Sequence, residues 1–375
     1  VRAETEASAT LEKYAFQWCD ALETIVLSEG FDSVAYNAVW GCKSFAGYRQ
    51  EEGCDKFIVS DGVLFVNGEA LLPVAWGGED VELFVPAGVR DVRLYCDNSY
   101  RVGTPVFSTI VLGPDVQSFY TEGAHFESFD LSEENQYLSV EDGVLFNSEK
   151  TVLLAWPVLK VAGEYTVPES VVSIGNSAFY RTDIRNLVLP NVKTVGACAF
   201  EHSRVQTIVF GEGLQSIGNY AFNYASYLQS AELPETLVSI GDGAFRGTEW
   251  LHYIGLPAGL EEIGDQAFMD SGLREIVFPS ANVHIGSGAF SGTEILRVTL
   301  PEGMTSVPGY MFSGAETLEE VVLPSTVQSI GNYAFNKTAL RQIELPAGLR
   351  SIGDYAFDET ALRQIELPAG VQEIG

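Results

Sequence analysis

The sequence predicts a repeat solenoid, mainly β, and three observations carry that prediction. First, the stretch Leu251-His-Tyr-Ile-Gly-Leu-Pro-Ala-Gly-Leu-Glu-Glu-Ile-Gly-Asp-Gln-Ala-Phe268 recurs with light editing on the skeleton Leu-x-x-Ile-x-Leu-Pro-x-x-Leu-x-x-Ile-Gly-x-x-Ala-Phe. Second, its closing Phe returns at Phe179, Phe200, Phe222, Phe245, Phe268, Phe290, Phe312, Phe335 and Phe357, an interval of 21 to 23 residues. Third, Thr338 to Gly348 reappears unchanged as Thr360 to Gly370, which points to duplication of a unit rather than to chance patterning.

Within each unit the elements follow from residue chemistry. Leu-x-x-Ile-x-Leu is long enough for a short strand, and the Pro after it ends the strand because it has no N–H to give a ladder. Pro257 to Gly264 is too short for a useful helix, so Leu260-Glu-Glu-Ile263 reads as a second extended segment. The Gly turns the chain. Asp265, with Asn219, Asp242, Asn332 and Asp354 at the same place elsewhere, is expected to cap a one-turn helix that carries Ala-Phe. Small Ala lets neighbouring windings approach, and Phe fills the interior. No winding can shelter its apolar set alone, so stacking must supply the core.

The chain divides into residues 1–164, a set of worn repeats with two enlarged units, and residues 165–375, the regular array, as parts of one continuous solenoid. Residues 1 to 10 are polar and match nothing later. Tyr14-Ala-Phe16 followed by Leu22 to Leu27 reproduces the layout of Tyr220-Ala-Phe222 followed by Leu228 to Leu233, so the repeat starts near the beginning; Phe31 to Val34 and Lys43 to Phe45 complete that winding. Asp61-Gly62 and Asp142-Gly143 stand between apolar runs, Phe57 to Phe65 and Tyr137 to Phe146, and predict hairpins in enlarged units. Phe107 to Leu112 is an ordinary repeat strand.

A formal charge of -30, with only 21 Lys and Arg, argues against the phosphate attraction that nucleic-acid binding needs and against docking on anionic lipid. No run approaches the roughly 18 to 20 apolar residues needed to cross a bilayer, so no membrane insertion is expected. The first residues, Val1-Arg-Ala-Glu-Thr-Glu, carry neither an initiator Met nor a signal core, and Val371 to Gly375 stops halfway through a repeat. A C-terminal continuation is therefore expected, with end-to-end contact through the uncapped repeat as one consequence. Of five cysteines, Cys198 fills a repeat slot and reads as a small packed thiol; Cys19, Cys42, Cys54 and Cys96 could form one disulfide, with no spacing that suggests zinc.

The Ile-Gly-x-x-Ala-Phe blocks and the enlarged Asp-Gly-Val-Leu-Phe units, over nearly all of residues 11 to 375, resemble the BspA-type leucine-rich repeats of bacterial surface proteins. The resemblance implies a right-handed leucine-rich-repeat coil with short parallel strands. It also implies secretion or cell-surface presentation and, for some members, adhesion to host matrix proteins or other cells. It brings no catalytic residues and no cofactor.

In such a coil the outward strand positions would bind. Their third column runs Asn186, Thr207, Ser230, Tyr253, Glu275, Arg297, Glu320, Gln342, Gln364, and the fifth runs Val188, Val209, Glu232, Gly255, Val277, Thr299, Val322, Glu344, Glu366. Neither holds a continuous aromatic or basic track. The densest departure is Trp250, His252 and Tyr253 with Tyr224 and Tyr227 one winding earlier, a candidate stacking platform for a sugar or a partner's side chain, against the plainer reading that these rings cover a coil edge. Four histidines, His125, His202, His252 and His284, sit in different windings without ligand spacing, and Glu232, Glu344 and Glu366 read as a solvated acidic face rather than a glycosidase pair. The sequon Asn336-Lys-Thr338 reads as accidental. The expectation is a non-enzymatic extracellular binding protein for a host protein, glycan or other cell. A structural spacer presenting a further domain is the alternative, and a glycan-active enzyme is a third reading that would need a deep pocket of convergent titratable groups.

Overall fold

The computed structural model describes the chain except residues 1–8, 36–37, 40, 53–56, 61–62, 67–68, 72–81, 96–105, 123–124 and 280–282, and its contacts divide it into two units, Val1–Lys160 and Val161–Gly375. The second unit is a β-solenoid whose windings pair in parallel with their neighbours. In it Glu164–Thr166, Asn186–Leu189, Thr207–Phe210 and Ser230–Glu232 form one ladder, and Arg297–Thr299 pairs with Glu320–Val322 in another. Leu187, Ile208, Ala231, Val298 and Val321 point inward and are buried, while their chain neighbours face out, the alternation a pleated strand imposes. The windings at 251–256, 273–278, 340–345 and 362–367 follow the same course without forming strand.

The second extended segment, two residues long in each winding, forms the steadier ladder. Ser173–Ile174, Thr194–Val195, Ser216–Ile217, Ser239–Ile240, Glu262–Ile263 and His284–Ile285 pair in parallel, each apolar residue against its own equivalent. A second run joins Ser306–Val307, Ser329–Ile330, Ser351–Ile352 and Glu373–Ile374.

The expected one-turn helix is absent: among the described residues there is no helix, and hence none long and apolar enough to cross a membrane. Two residues per winding, four apart, adopt left-handed backbone instead, as at Tyr220 (φ 57°) and Tyr224 (φ 52°) or Gln266 (φ 56°) and Asp270 (φ 55°), and a left-handed residue cannot continue a right-handed helix. Their hydrogen bonds explain the choice. Tyr220, Phe222 and Tyr224 donate N–H to Asp242, Ala244 and Arg246 of the next winding at 2.7, 2.6 and 2.7 Å, while Ala221 and Asn223 between them bond locally to Gly218 and Tyr220. A single helical turn would leave nearly all of these donors without partners; the alternating backbone matches every second one to a neighbour.

The Asn and Asp before this segment are accordingly not helix caps. Asn219 Oδ1 accepts from Asp242 N at 3.0 Å, Asp242 Oδ1 from Asp265 N at 2.8 Å, Asp265 Oδ1 from Ser287 N at 2.7 Å and Asn332 Oδ1 from Asp354 N at 2.9 Å, so they tie winding to winding. The preceding Gly is required by the same closeness: a Cβ on Gly264 would sit 2.5 Å from both Asp242 N and Asp242 Oδ1.

The interior is a column of phenylalanines. From Phe179 to Phe357 each ring stacks on the next at centroid separations of 4.9 to 5.9 Å, with interplanar angles of 1° to 20°. Phe179 through Phe335 are fully buried. Beside the column, Thr182, Thr248, Thr293, Thr338 and Thr360 each donate a hydroxyl to the carbonyl of the Phe three residues back, at 2.7 to 2.9 Å, which satisfies a polar group at the edge of the core.

The first unit opens with the same device: Tyr14 and Trp18 are left-handed, and Phe16 donates N–H to Ala38 at 2.8 Å. Ala9–Leu11 pairs in parallel with Phe31–Val34, and Thr24–Leu27 with Gly47–Gln50. Farther along, Ile58–Ser60, Val63–Val66 and Glu69–Leu71 form an antiparallel meander, as do Leu138–Glu141, Val144–Asn147 and Val152–Ala155. Val106–Leu112 lies between Glu82–Phe84 and His125–Leu131 in a parallel ladder whose buried face includes Leu83, Phe107, Ile110, Phe126 and Phe129. Cys19 and Cys42 are unpaired thiols, and Cys54 and Cys96 lie outside the described residues.

Replacing Phe245, whose ring stacks on both sides, with Ala should lower stability by about 3–5 kcal/mol in urea unfolding. A loss below about 1 kcal/mol would mean the column carries little of the fold. Gly264→Ala adds one methyl with no space to receive it and should cost about 1–3 kcal/mol by the same measurement.

Candidate functional site

The outward strand columns face solvent. Asn186, Ser230, Tyr253, Glu275, Arg297, Glu320, Gln342 and Gln364 are exposed, as are Val209, Glu232, Gly255, Val277, Thr299, Val322, Glu344 and Glu366. Their mixed signs include cross-winding ion pairs such as Arg297–Glu320 at 3.4 Å, whose exposed partners add little to stability. The acidic positions Glu232, Glu344 and Glu366 stand on this open face.

The five residues singled out from the sequence separate into three kinds. Adjacent windings here are offset by 23 residues, since Phe222 stacks on Phe245 and Asn219 bonds Asp242, so Tyr227 and Trp250 occupy one position in successive windings. Trp250 is 55% exposed, Tyr227 48% and Tyr253 61%, and none of these rings stacks on another described ring. The Tyr253 hydroxyl reaches over Gly255, 3.7 Å from where a Cβ would stand, so the missing side chain leaves room for the phenol along the surface.

His252 is held differently. Its Nδ1 lies 3.0 Å from the carbonyl oxygen of Gly272 in the next winding and donates to it, which fixes the ring as an inter-winding tie. Tyr224 belongs to the left-handed column: it stacks on His202 at 5.3 Å and 5°, the Arg246 guanidinium lies 5.9 Å from its ring centroid, and its ring edge covers Gly247. The surface that remains free is thus Tyr227, Trp250 and Tyr253.

A second aromatic row escaped the reading of the strand columns. Tyr310, Tyr333 and Tyr355 fill the left-handed slot two residues before the interior Phe and stack at 4.8 and 4.9 Å. Desolvation, then the neighbouring Tyr310 and Tyr355 and the carboxylates of Asp354 and Asp358, pushes the Tyr333 phenol above its ordinary range. Its sequence signal was the recurrence of Tyr in one slot, at 220, 310, 333 and 355. Cys198 shares that slot and is half-buried rather than packed inside.

Other titratable groups are scattered. Burial pushes the Cys42 thiol up and the Tyr48 phenol far up, and burial holds the His202 imidazole below its ordinary value, with Glu201 raising it and Arg181 lowering it. No group of three or more His, Cys, Asp or Glu among the described residues is placed to hold a metal ion. The Asn336 amide nitrogen is committed to Asp358, both its carbonyl and its carboxylate, inside a residue 7% exposed, which leaves the sequon without an available acceptor.

A family model described as the BspA type leucine rich repeat region matches residues 5–57, 162–274 and 261–375 in six copies. No curated protein matches the chain. Among solved structures, a leucine-rich repeat protein from Eubacterium ventriosum is similar at 18% identity and a TM-score of 0.47, over 97% of this chain and 84% of that one. The pneumococcal vaccine antigen PcpA follows at 15% identity and 0.42, over 94% and 78%. A leucine-rich cell surface protein from Faecalibacterium prausnitzii is similar at 16% and 0.42, over 83% and 94%. Likenesses this distant carry no argument about activity.

The His202 environment gives a measurable pH dependence. Its folded pKa lies below the unfolded value of 6.5, so the unfolded chain takes up a proton first. The contribution is fully present above pH 6.5 and is lost as the pH falls from there to the folded value. Urea midpoints should therefore drop across that window more for the wild type than for His202→Gln; equal slopes would contradict the assignment.

Proposed function

The chain belongs to the BspA-type leucine-rich repeat family, and from that premise we propose that it is a non-enzymatic binding protein of the cell surface or exterior. Its repeat surface engages a host protein, a glycan or another cell. The observation that supports this reading best is the trio Tyr227, Trp250 and Tyr253, large rings kept 48 to 61% exposed on adjacent windings. A stable array has no structural need for a Trp in the position that its neighbour fills with Tyr and the next winding fills with Ser271 or Gly272. Aromatic faces with no stacking partner are what sugars and apolar side chains dock on, and Trp and Tyr dominate binding energy where they occur at interfaces.

The chemistry of the strand face and of the whole chain also bears on the role. The carboxylates Glu232, Glu344 and Glu366 stand exposed on the open strand face, whereas paired-carboxylate catalysis works across a cleft. The charge of -30 favours neutral or basic ligands over nucleic acid.

The test is a panel of matrix proteins and a glycan array, read with the wild type and with Trp250→Ala and Tyr253→Ala. Any ligand of the wild type should bind at least about 10-fold more weakly to the double variant, the loss of one or two aromatic anchors. Unchanged affinity with an unchanged circular dichroism spectrum would move the binding surface elsewhere; absence of any ligand tighter than about millimolar would count against the role itself.

A further inference from the structure

We propose that Cys19 and Cys42 are a disulfide-forming pair that staples two successive windings of the first unit together. The argument is one of register. Thr10 and Ser33 are partners across the parallel ladder, and their hydroxyls bond at 3.0 Å. Asp20 and Lys43 pair at 2.8 Å, and Thr24 lies opposite Gly47. The Trp18 ring lies over Gly41, so closely that a Cβ there would be 2.5 Å from it. Each of these pairs is separated by 23 residues, as are Cys19 and Cys42. Contacts on both immediate sides, 18 with 41 and 20 with 43, leave no slack for a slip between them.

Windings that pair in this way rise by about 4.8 Å, which brings equivalent Cα atoms inside the 4.4 to 6.8 Å range of disulfides. The two sulfurs reach neighbouring carbonyls of one turn, Cys19 Sγ that of Gln17 at 4.0 Å. Cys42 Sγ donates to the Phe16 carbonyl at 2.8 Å, in the turn that leads to Cys19; burial raises its pKa most, the Cys19 N–H lowers it, and the Cys19 thiol and Asp20 raise it. Of the two, Cys19 is exposed and Cys42 is buried.

That difference in exposure orders the chemistry. With oxidised glutathione as the oxidant, the Cys19 thiolate attacks one glutathione sulfur, breaking its S–S bond and releasing glutathione thiolate. Cys42 then gives up its proton to solvent, and its sulfur attacks Cys19 Sγ and expels the second glutathione. Two protein thiols are oxidised to one disulfide and one glutathione disulfide is reduced to two thiols. The staple closes in an oxidising exterior and opens in a reducing cytosol. Its place is beside Phe16, which is 37% exposed.

The test uses the whole chain, reduced, freed of reductant, incubated with oxidised glutathione, alkylated, and digested without reduction by a protease that cuts after glutamate. Glu23 and Glu29 lie between the two cysteines, so the linked peptides are distinguishable from unlinked ones. The expected result is a dominant Cys19–Cys42 cross-link that raises the unfolding midpoint. In Cys42→Ser, Cys19 should remain as a glutathione adduct; in Cys19→Ser, Cys42 should stay largely unmodified. Separate glutathione adducts on both residues of the wild type, or preferential linkage of either to Cys54, Cys96 or Cys198, would overturn the proposal. The same oxidation in urea should scramble the pairing, which shows that the folded register selects it.

Discussion

The regular array depends on one constraint: a phenylalanine ring in so thin a winding is dry on both faces only if the windings before and after cover it, which here their own phenylalanines do. Centroid separations of 4.9 to 5.9 Å are close to the spacing of hydrogen-bonded strands, so ring stacking and backbone pairing demand nearly the same rise per winding. A chain that meets one requirement is brought near to the other. This is why the phenylalanines recur at every 21 to 23 residues while the residues between them drift.

The smaller residues follow from that rise. At such closeness a Cβ after the Ile or Val would meet the backbone of the winding before at Gly196, Gly218, Gly241 and Gly264, although the winding of Phe312 carries Pro308 in that slot. Alanine before the Phe offers a carbonyl to the neighbouring Phe N–H, as Ala244 does to Phe222 and Ala267 to Phe245. Left-handed backbone at Tyr, Gln and Asp costs something at each position. Those costs are offset because every second N–H of the turn finds a partner that a lone helical turn could not provide.

The sequence made the period, the interior Phe, the Pro-bounded strands and the short second segment legible, because each is a local rule repeated many times. The helix was misread because Asp or Asn before Ala-Phe has the look of an N-cap, and the partner that captures its oxygen, such as Ser287 N for Asp265, lies one winding away. A signal was nonetheless present. Glycine recurs at two slots four apart, Gly243 with Gly247 and Gly288 with Gly292, where φ runs from 57° to 68°, and that spacing marks paired left-handed residues. For the surface, Trp250, Tyr253 and Tyr227 could be read directly because they break a repeat at outward positions. His252 could not, since its role is set by a carbonyl at Gly272. Tyr310, Tyr333 and Tyr355 were passed over because each looks like a filler until the windings are stacked.

Native-state hydrogen exchange on the phenylalanine amides is the most direct test of this arrangement. The N–H groups of Phe200, Phe222, Phe245 and Phe268 point at carbonyls of the next winding and should exchange among the slowest in the chain, protected only by opening of the stack. Exchange at rates typical of exposed amides would contradict it, because such windings would not be holding one another.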